Sequence, residues 1–242
     1  MSTEINVVQL YPRDMNIYGD YGNALTIQRR LEWYGYTPVM HSYDPGDEFP
    51  EEADILIGGG GQDSGQDRIQ NDLLSIGDRL HEMAEADVPM LMICGLYQLF
   101  GHYFETRDGV RISGIGLLDV TTYGTDRRLI GNIVTESEEF GRIIGYENHS
   151  GQTWLGDGVS PLATVTTGEG NNDQDPYEGA RRRNVIGSYL HGSLLPKNPA
   201  VADFLIGTAV KQKYDAEIGA LQHESVADLT ARARSAAAVR PR

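Results

Sequence analysis

A chain of 242 residues with 40% hydrophobic content is long enough to bury a core without disulfide staples. Its formal net charge of −15 disfavours nucleic acid and acidic membrane surfaces as partners, because both need clustered Lys and Arg. One cysteine excludes an internal disulfide, no apolar stretch approaches a membrane span, and the first residues lack a secretion-signal pattern; a cytoplasmic location without membrane insertion is expected.

Residues 5–10 read as a first strand and residues 12–20 as a loop. Residues 23–33 predict a helix, with Leu25, Ile27 and Leu31 at helical spacing. Residues 37–43 and 53–57 predict two more strands, the second running into the four glycines at 58–61. Residues 71–86 predict a helix through Leu73, Leu74, Ile76, Leu80 and Met83, and residues 88–93 form an apolar run of strand length with Pro89 near its start.

Such alternation implies right-handed crossovers and an α/β fold, with a mostly parallel central sheet flanked by helices. After Gly109 the texture changes. Short segments at 116–122, 129–135, 143–146, 163–167 and 185–190 alternate with glycine-rich turns and predict antiparallel strands in the C-terminal half. Residues 199–213 predict a closing helix, and the Ala- and Arg-rich stretch from Ser225 onward a peripheral helical tail. No repeat, linker or boundary interrupts 1–242, so one domain is expected.

Chemistry concentrates in Met90-Leu91-Met92-Ile93-Cys94-Gly95-Leu96-Tyr97-Gln98. An apolar strand ends at a cysteine, glycine follows, and helical spacing resumes, which is the layout of a nucleophile elbow. A helix N-terminus favours a thiolate, and the Gly95 N–H is placed to meet an oxyanion. A thiolate needs a proton partner. Of the six histidines, His191 ends a predicted strand, and His149, in Tyr146-Glu147-Asn148-His149, is its rival; spacing alone leaves both open. The glycine run at 58–61 is no phosphate loop, because Gln62-Asp63 follows where Lys and Ser or Thr belong. It suits backbone N–H groups facing an oxyanion. No metal-ligand spacing is present, so no metal site is expected.

Together, Ile93-Cys94-Gly95-Leu96-Tyr97-Gln98, the glycine run before it and the late Tyr189-Leu190-His191-Gly192 resemble the class I glutamine amidotransferases, and more narrowly their cobyric-acid-synthase-like branch. Within that branch the chain is similar to the glutaminase subunits of lipid II isoglutaminyl synthases. Asn16-Ile17-Tyr18-Gly19-Asp20, Arg128-Leu129-Ile130-Gly131 and Leu190-His191-Gly192-Ser193-Leu194-Leu195-Pro196-Lys197-Asn198 carry this likeness. The resemblance implies a class I glutamine amidotransferase fold, Cys94 as nucleophile and His191 as its base. It further implies Arg128 on the α-carboxylate of glutamine, Gln98 lining the pocket, and N–H groups near Gly60 and Gly95 as the oxyanion hole.

Relatives usually carry Glu two residues after the histidine; here that position is Ser193. Asp20 is the candidate to orient His191, with Glu147 behind it. Leu96 stands where the family usually has glycine, and a positive φ there would strain it. The resemblance implies a heterodimer with a MurT-like Mur ligase subunit, which holds the ATP and Mg; this chain itself needs no cofactor. The alternatives are a cobyrinic-acid-type amidotransferase glutaminase and a non-catalytic regulatory subunit of the same fold.

Overall fold

The computed structural model describes residues 3–221 and 223–239. The first half runs β1 (Glu4–Leu10), α1 (Tyr21–Trp33), β2 (Thr37–Tyr43), β3 (Ile55–Gly58), α2 (Asp63–Ser75), α3 (Gly77–Glu85), β4 (Met90–Ile93) and α4 (Gly95–Phe100), with a 3-10 turn at Ile17–Gly19. The second half runs β5 (Tyr103–Glu105), β6 (Arg111–Ser113), β7 (Val120–Ser137), β8 (Gly141–Leu155), β9 (Ala163–Thr167), β10 (Tyr177–Glu178), β11 (Ala180–Arg182), β12 (Val185–Ser188), α5 (Leu194–Lys197), α6 (Pro199–Tyr214) and α7 (Glu224–Ala238).

One six-stranded sheet has the order β11-β12-β4-β3-β1-β2, parallel throughout except for the β11–β12 pair. Its central strands read ILIG, MLMI and VIGS, and all twelve of those residues are buried. Strands covered on both faces are apolar without alternation, and this places them mid-sheet. The α/β class expected from the sequence is the fold observed.

The second sheet has the order β10-β9-β7-β5-β6, with β8 paired to β7. Here the structure differs from the short strands expected. Residues 120–122 of the first expected segment and all of 129–135 lie in one 18-residue strand, whose pairing with β8 shifts register between Gly124 and Leu129. That irregularity, rich in polar residues, hides the continuity from a reading based on alternation. The segment at 185–190 forms the expected antiparallel hairpin through β11 and β12, and the other edge of β12 pairs in parallel with β4, which places it in the first sheet.

The single helix expected over 71–86 is two, α2 and α3, broken at Ile76 (φ −96°, ψ 2°). Helix α2 starts earlier than expected because its first buried positions are Gly65 and Gln66 rather than apolar residues. The expected terminal helix forms α7; residues 240–242 of that stretch lie outside the described residues. Arg234 of α7 donates to the carbonyls of Lys197 and Arg142.

Parallel order brings the carboxyl ends of β1, β3, β4 and β12 to one edge of the sheet, where open α/β sheets bind ligands. The loops leaving those four ends carry Asp20, Gly60, Cys94 and His191. Leu91 in β4 is wholly buried. Leu91→Ala is expected to cost about 2–5 kcal/mol, read as a lower urea midpoint at unchanged slope; no shift in midpoint would remove β4 from the core.

Candidate active site

Cys94 sits on the turn between β4 and α4 with φ 49° and ψ −101°, a backbone conformation costly for any residue with a Cβ. The Cys94 N–H donates to the Ser188 carbonyl at 2.8 Å, which pins this elbow to the end of β12. The strain rests on Cys94. Leu96, at the position where a positive φ was in question, is absent from the positive-φ residues and packs wholly buried.

Glycine is needed beside the elbow. A Cβ on Gly95 meets Met15 Cε at 2.7 Å, and one on Gly60 meets both His191 Cε1 at 2.7 Å and Cys94 Cβ at 3.0 Å. The same contacts show that Cys94 and His191, far apart in the chain, close on the same glycine.

His191 is wholly buried, and its N–H donates to the Tyr146 carbonyl. Its Nδ1 lies 3.2 Å from Asp20 Oδ2 and 3.4 Å from Oδ1. Its Nε2 is buried with no nitrogen or oxygen partner. Burial by itself lowers the imidazole pKa; the Cys94 sulfur and then the Asp20 carboxylate overcome it and push the ring up to about 10. His191 is therefore a charged imidazolium at neutral pH, positioned by a carboxylate on one side and the sulfur on the other.

Asp20 also accepts the Gly60 N–H at 2.8 Å, and Ile17 N–H donates back to the Gly60 carbonyl at 2.9 Å. This changes the oxyanion expectation: the Gly60 N–H is already committed to Asp20. Among the described residues, the N–H groups of Gly61 and Gly95 donate to no protein acceptor, and a Cβ on Gly95 comes within 3.0 Å of the Gly61 nitrogen. These two adjacent donors are the free pair at the elbow.

Glu147, the other candidate to orient His191, accepts the N–H groups of Glu169 and Gly170. Ser193, in place of the usual glutamate, donates its hydroxyl to the Gly19 carbonyl at 2.7 Å and so ties the histidine loop to the loop that carries Asp20. The carboxylate beside the imidazole thus comes from the start of the chain.

A cavity of about 350 Å³ opens above Cys94 and is walled by Tyr18, Gln66, Gln98, Arg128, Asn148 and His149 among others. Gln98 is held at both ends of its amide: Oε1 accepts from Gln66 at 2.8 Å and Nε2 donates to the Tyr189 hydroxyl at 2.9 Å. Arg128 is exposed at the wall, and its Nε donates to Asn148 Oδ1 at 2.6 Å.

His149, the rival base, is buried and stacked on the Tyr189 ring at 3.6 Å, with Nδ1 bonded to the Gly151 carbonyl at 2.7 Å. Burial lowers its pKa to about 3, so it stays neutral and structural. Tyr18, Gln66 and Asn148 were not singled out from the sequence. Tyr18 lies in a motif that carried the family likeness, Asn148 stands beside the rival histidine, and Gln66 lies in the polar first turns of a helix that apolar periodicity does not mark.

The histidine's depressed pKa carries a pH prediction. Between about pH 3 and pH 6.5 the unfolded chain binds a proton at His149 that the folded chain refuses, so this site's stabilisation is lost as the pH falls through that window. Glu178, whose buried carboxyl is raised to about 8, acts in the opposite sense between pH 4.5 and pH 8. The expected result is therefore a difference: urea unfolding of wild type loses about 2 kcal/mol more than His149→Gln between pH 7 and pH 5. Parallel pH profiles for the two proteins would refute it.

Residues 6–199 match the family model of the CobB/CobQ-like glutamine amidotransferase domain. The chain belongs to this family of glutamine amidotransferases. Over 212 residues it is 38% identical to the lipid II isoglutaminyl synthase (glutamine-hydrolyzing) subunit GatD of Staphylococcus aureus, covering 87% of this chain and 86% of that one. It is 37% identical over 226 residues to GatD of Streptococcus pneumoniae, covering 92% and 87%. A solved glutamine amidotransferase superposes with a TM-score of 0.60 at 18% identity over 84% of this chain and 98% of its own, a likeness of fold. No helix among the described residues is long and apolar enough to cross a membrane.

Proposed function

We propose that this chain is the glutaminase subunit of a lipid II isoglutaminyl synthase, with Cys94 as nucleophile, His191 as proton carrier and Asp20 as the residue that orients it. The observation that carries this reading is the convergence of Cys94, His191 and Asp20 on Gly60, at the floor of a cavity with Arg128 in its wall. The GatD relatives at 37–38% identity over most of both chains support the acceptor.

In this mechanism the Cys94 thiolate attacks the side-chain carbonyl carbon of glutamine. The N–H groups of Gly61 and Gly95 receive the developing oxyanion, each such donor typically worth about 3 kcal/mol in the transition state. Charged His191 gives its Nε2 proton to the departing nitrogen, the C–N bond breaks, and ammonia and a thioester result. Neutral His191 then takes a proton from water as the water attacks the thioester, which returns the thiolate and releases glutamate. Arg128 holds the α-carboxylate and Gln98 the wall beside it.

The ammonia goes to a MurT-like Mur ligase partner, which holds ATP and Mg and activates the D-glutamate carboxyl of lipid II, in the cytoplasm. The test is reconstitution with a Mur-ligase-like subunit, ATP, glutamine and lipid II. The expected product is lipid II carrying D-isoglutamine, seen by mass spectrometry. Glutamine hydrolysis with no lipid II amidation by any such partner would overturn the acceptor assignment and leave the glutaminase.

A further inference from the structure

Tyr18 occupies the left-handed region (φ 58°, ψ 17°) inside the short turn that precedes Asp20. A non-glycine residue held there marks a position fixed by its surroundings, and such strain clusters at functional sites. The surroundings are visible. Its ring stands edge-on to the His191 ring, 5.0 Å between centroids, and Ile17 and Asp20, on either side of it in the same loop, are both bonded to Gly60. Although 43% exposed, Tyr18 is thus fastened over the buried imidazole, in the wall of the Cys94 cavity.

The hydroxyl closes a ring of three side chains. Asn148 Nδ2 donates to it at 2.8 Å, Arg128 Nη2 donates to it at 3.4 Å, and Arg128 Nε donates to Asn148 Oδ1 at 2.6 Å. The phenol oxygen therefore accepts twice. No protein group among the described residues accepts its own proton, and a hydroxyl retains one donor whatever it accepts. That donor belongs to a residue lining the cavity, beside the guanidinium.

We propose that Tyr18 is a second reader of the substrate's α-carboxylate: its O–H donates to the carboxylate, while the hydroxyl oxygen and Asn148 hold the Arg128 guanidinium in place to pair with it. This rests on the reading of Arg128 given above. It assigns the amino-acid end of the substrate to Tyr18, Asn148 and Arg128 acting together, and the amide end to Cys94 and His191.

The experiment follows alkylation of Cys94 in the full chain by mass spectrometry, using two reagents. One is 6-diazo-5-oxo-L-norleucine, an amino acid that must present its α-carboxylate to react; the other is iodoacetamide, which has none. Tyr18→Phe is expected to slow the amino-acid reagent about 5- to 10-fold, the effect of losing one hydrogen bond to a charged group, and to leave the iodoacetamide rate unchanged. Arg128→Ala is expected to slow the amino-acid reagent more strongly. If Arg128→Ala slows it and Tyr18→Phe matches wild type, the Tyr18 proposal is wrong while the Arg128 reading stands. If Arg128→Ala also matches wild type, that underlying reading fails. Equal slowing of both reagents by Tyr18→Phe would place the hydroxyl's effect on the sulfur and also overturn the proposal.

Discussion

Cys94→Ser is expected to lower glutamate release from glutamine by at least about 10⁴-fold, because removing the nucleophile of a coupled acid–base pair costs nearly all of the chemistry the site performs. A serine hydroxyl fits the same elbow and keeps the Cys94 N–H bond to the Ser188 carbonyl, so the fold is expected to persist. It does not ionise at neutral pH and leaves His191 without the sulfur that is the main cause raising its pKa. The measurement is glutamate production by the chain with and without a Mur-ligase-like subunit, alongside glutamine binding. Binding should survive, because Arg128 and Gln98 are untouched. Residual hydrolysis within tenfold of wild type would remove Cys94 from the nucleophile's role.

The second large effect is expected at Asp20. Asp20→Asn removes the carboxylate that both orients His191 Nδ1 and helps hold the ring charged. A loss of about 10²-fold or more in kcat is expected, by analogy with other enzymes in which the carboxylate partner of a catalytic histidine is neutralised. The sign of the pH effect follows from the direction of the shift. A folded pKa raised to about 10 means that the imidazole's charge stabilises the fold fully below about pH 6.5, and that this contribution is lost as the pH rises through 10. Without Asp20 the folded pKa falls, so the charged form is lost at lower pH. The alkaline limb of the rate profile should move toward acid. Glu147→Gln should leave that limb in place, since the Glu147 carboxylate serves the N–H groups of Glu169 and Gly170. A wild-type kcat and pH profile in Asp20→Asn would show that the histidine needs no carboxylate.

Much of this site is local in the sequence. A buried strand ending in Cys-Gly and resuming with helical spacing specifies an elbow, because strand, sharp turn and helix N-terminus are each short-range consequences of apolar runs and glycine. The core strands of the parallel sheet were legible for the same reason: continuous apolar runs have no solvated face to alternate toward. The long β7–β8 hairpin was less so, since Gly124 and the polar residues after it break the alternation while the pairing continues past the irregularity.

The chain itself determined which residues could do chemistry: one thiol, a handful of imidazoles and a glycine run. Only the tertiary structure decided which of them meet. The parallel order of β1, β3, β4 and β12 sets four loop starts side by side, and this brings Asp20 to an imidazole 171 positions away. It also commits the Gly60 N–H to that carboxylate and leaves Gly61 as a free donor. Burial lowers both candidate histidines; at His191 the Cys94 sulfur and the Asp20 carboxylate overcome it, while at His149 the neighbouring charges of His191 and Arg128 lower the ring further. Proximity across a sheet edge and the polarity of a neighbourhood are long-range quantities, and no local pattern of residues encodes them.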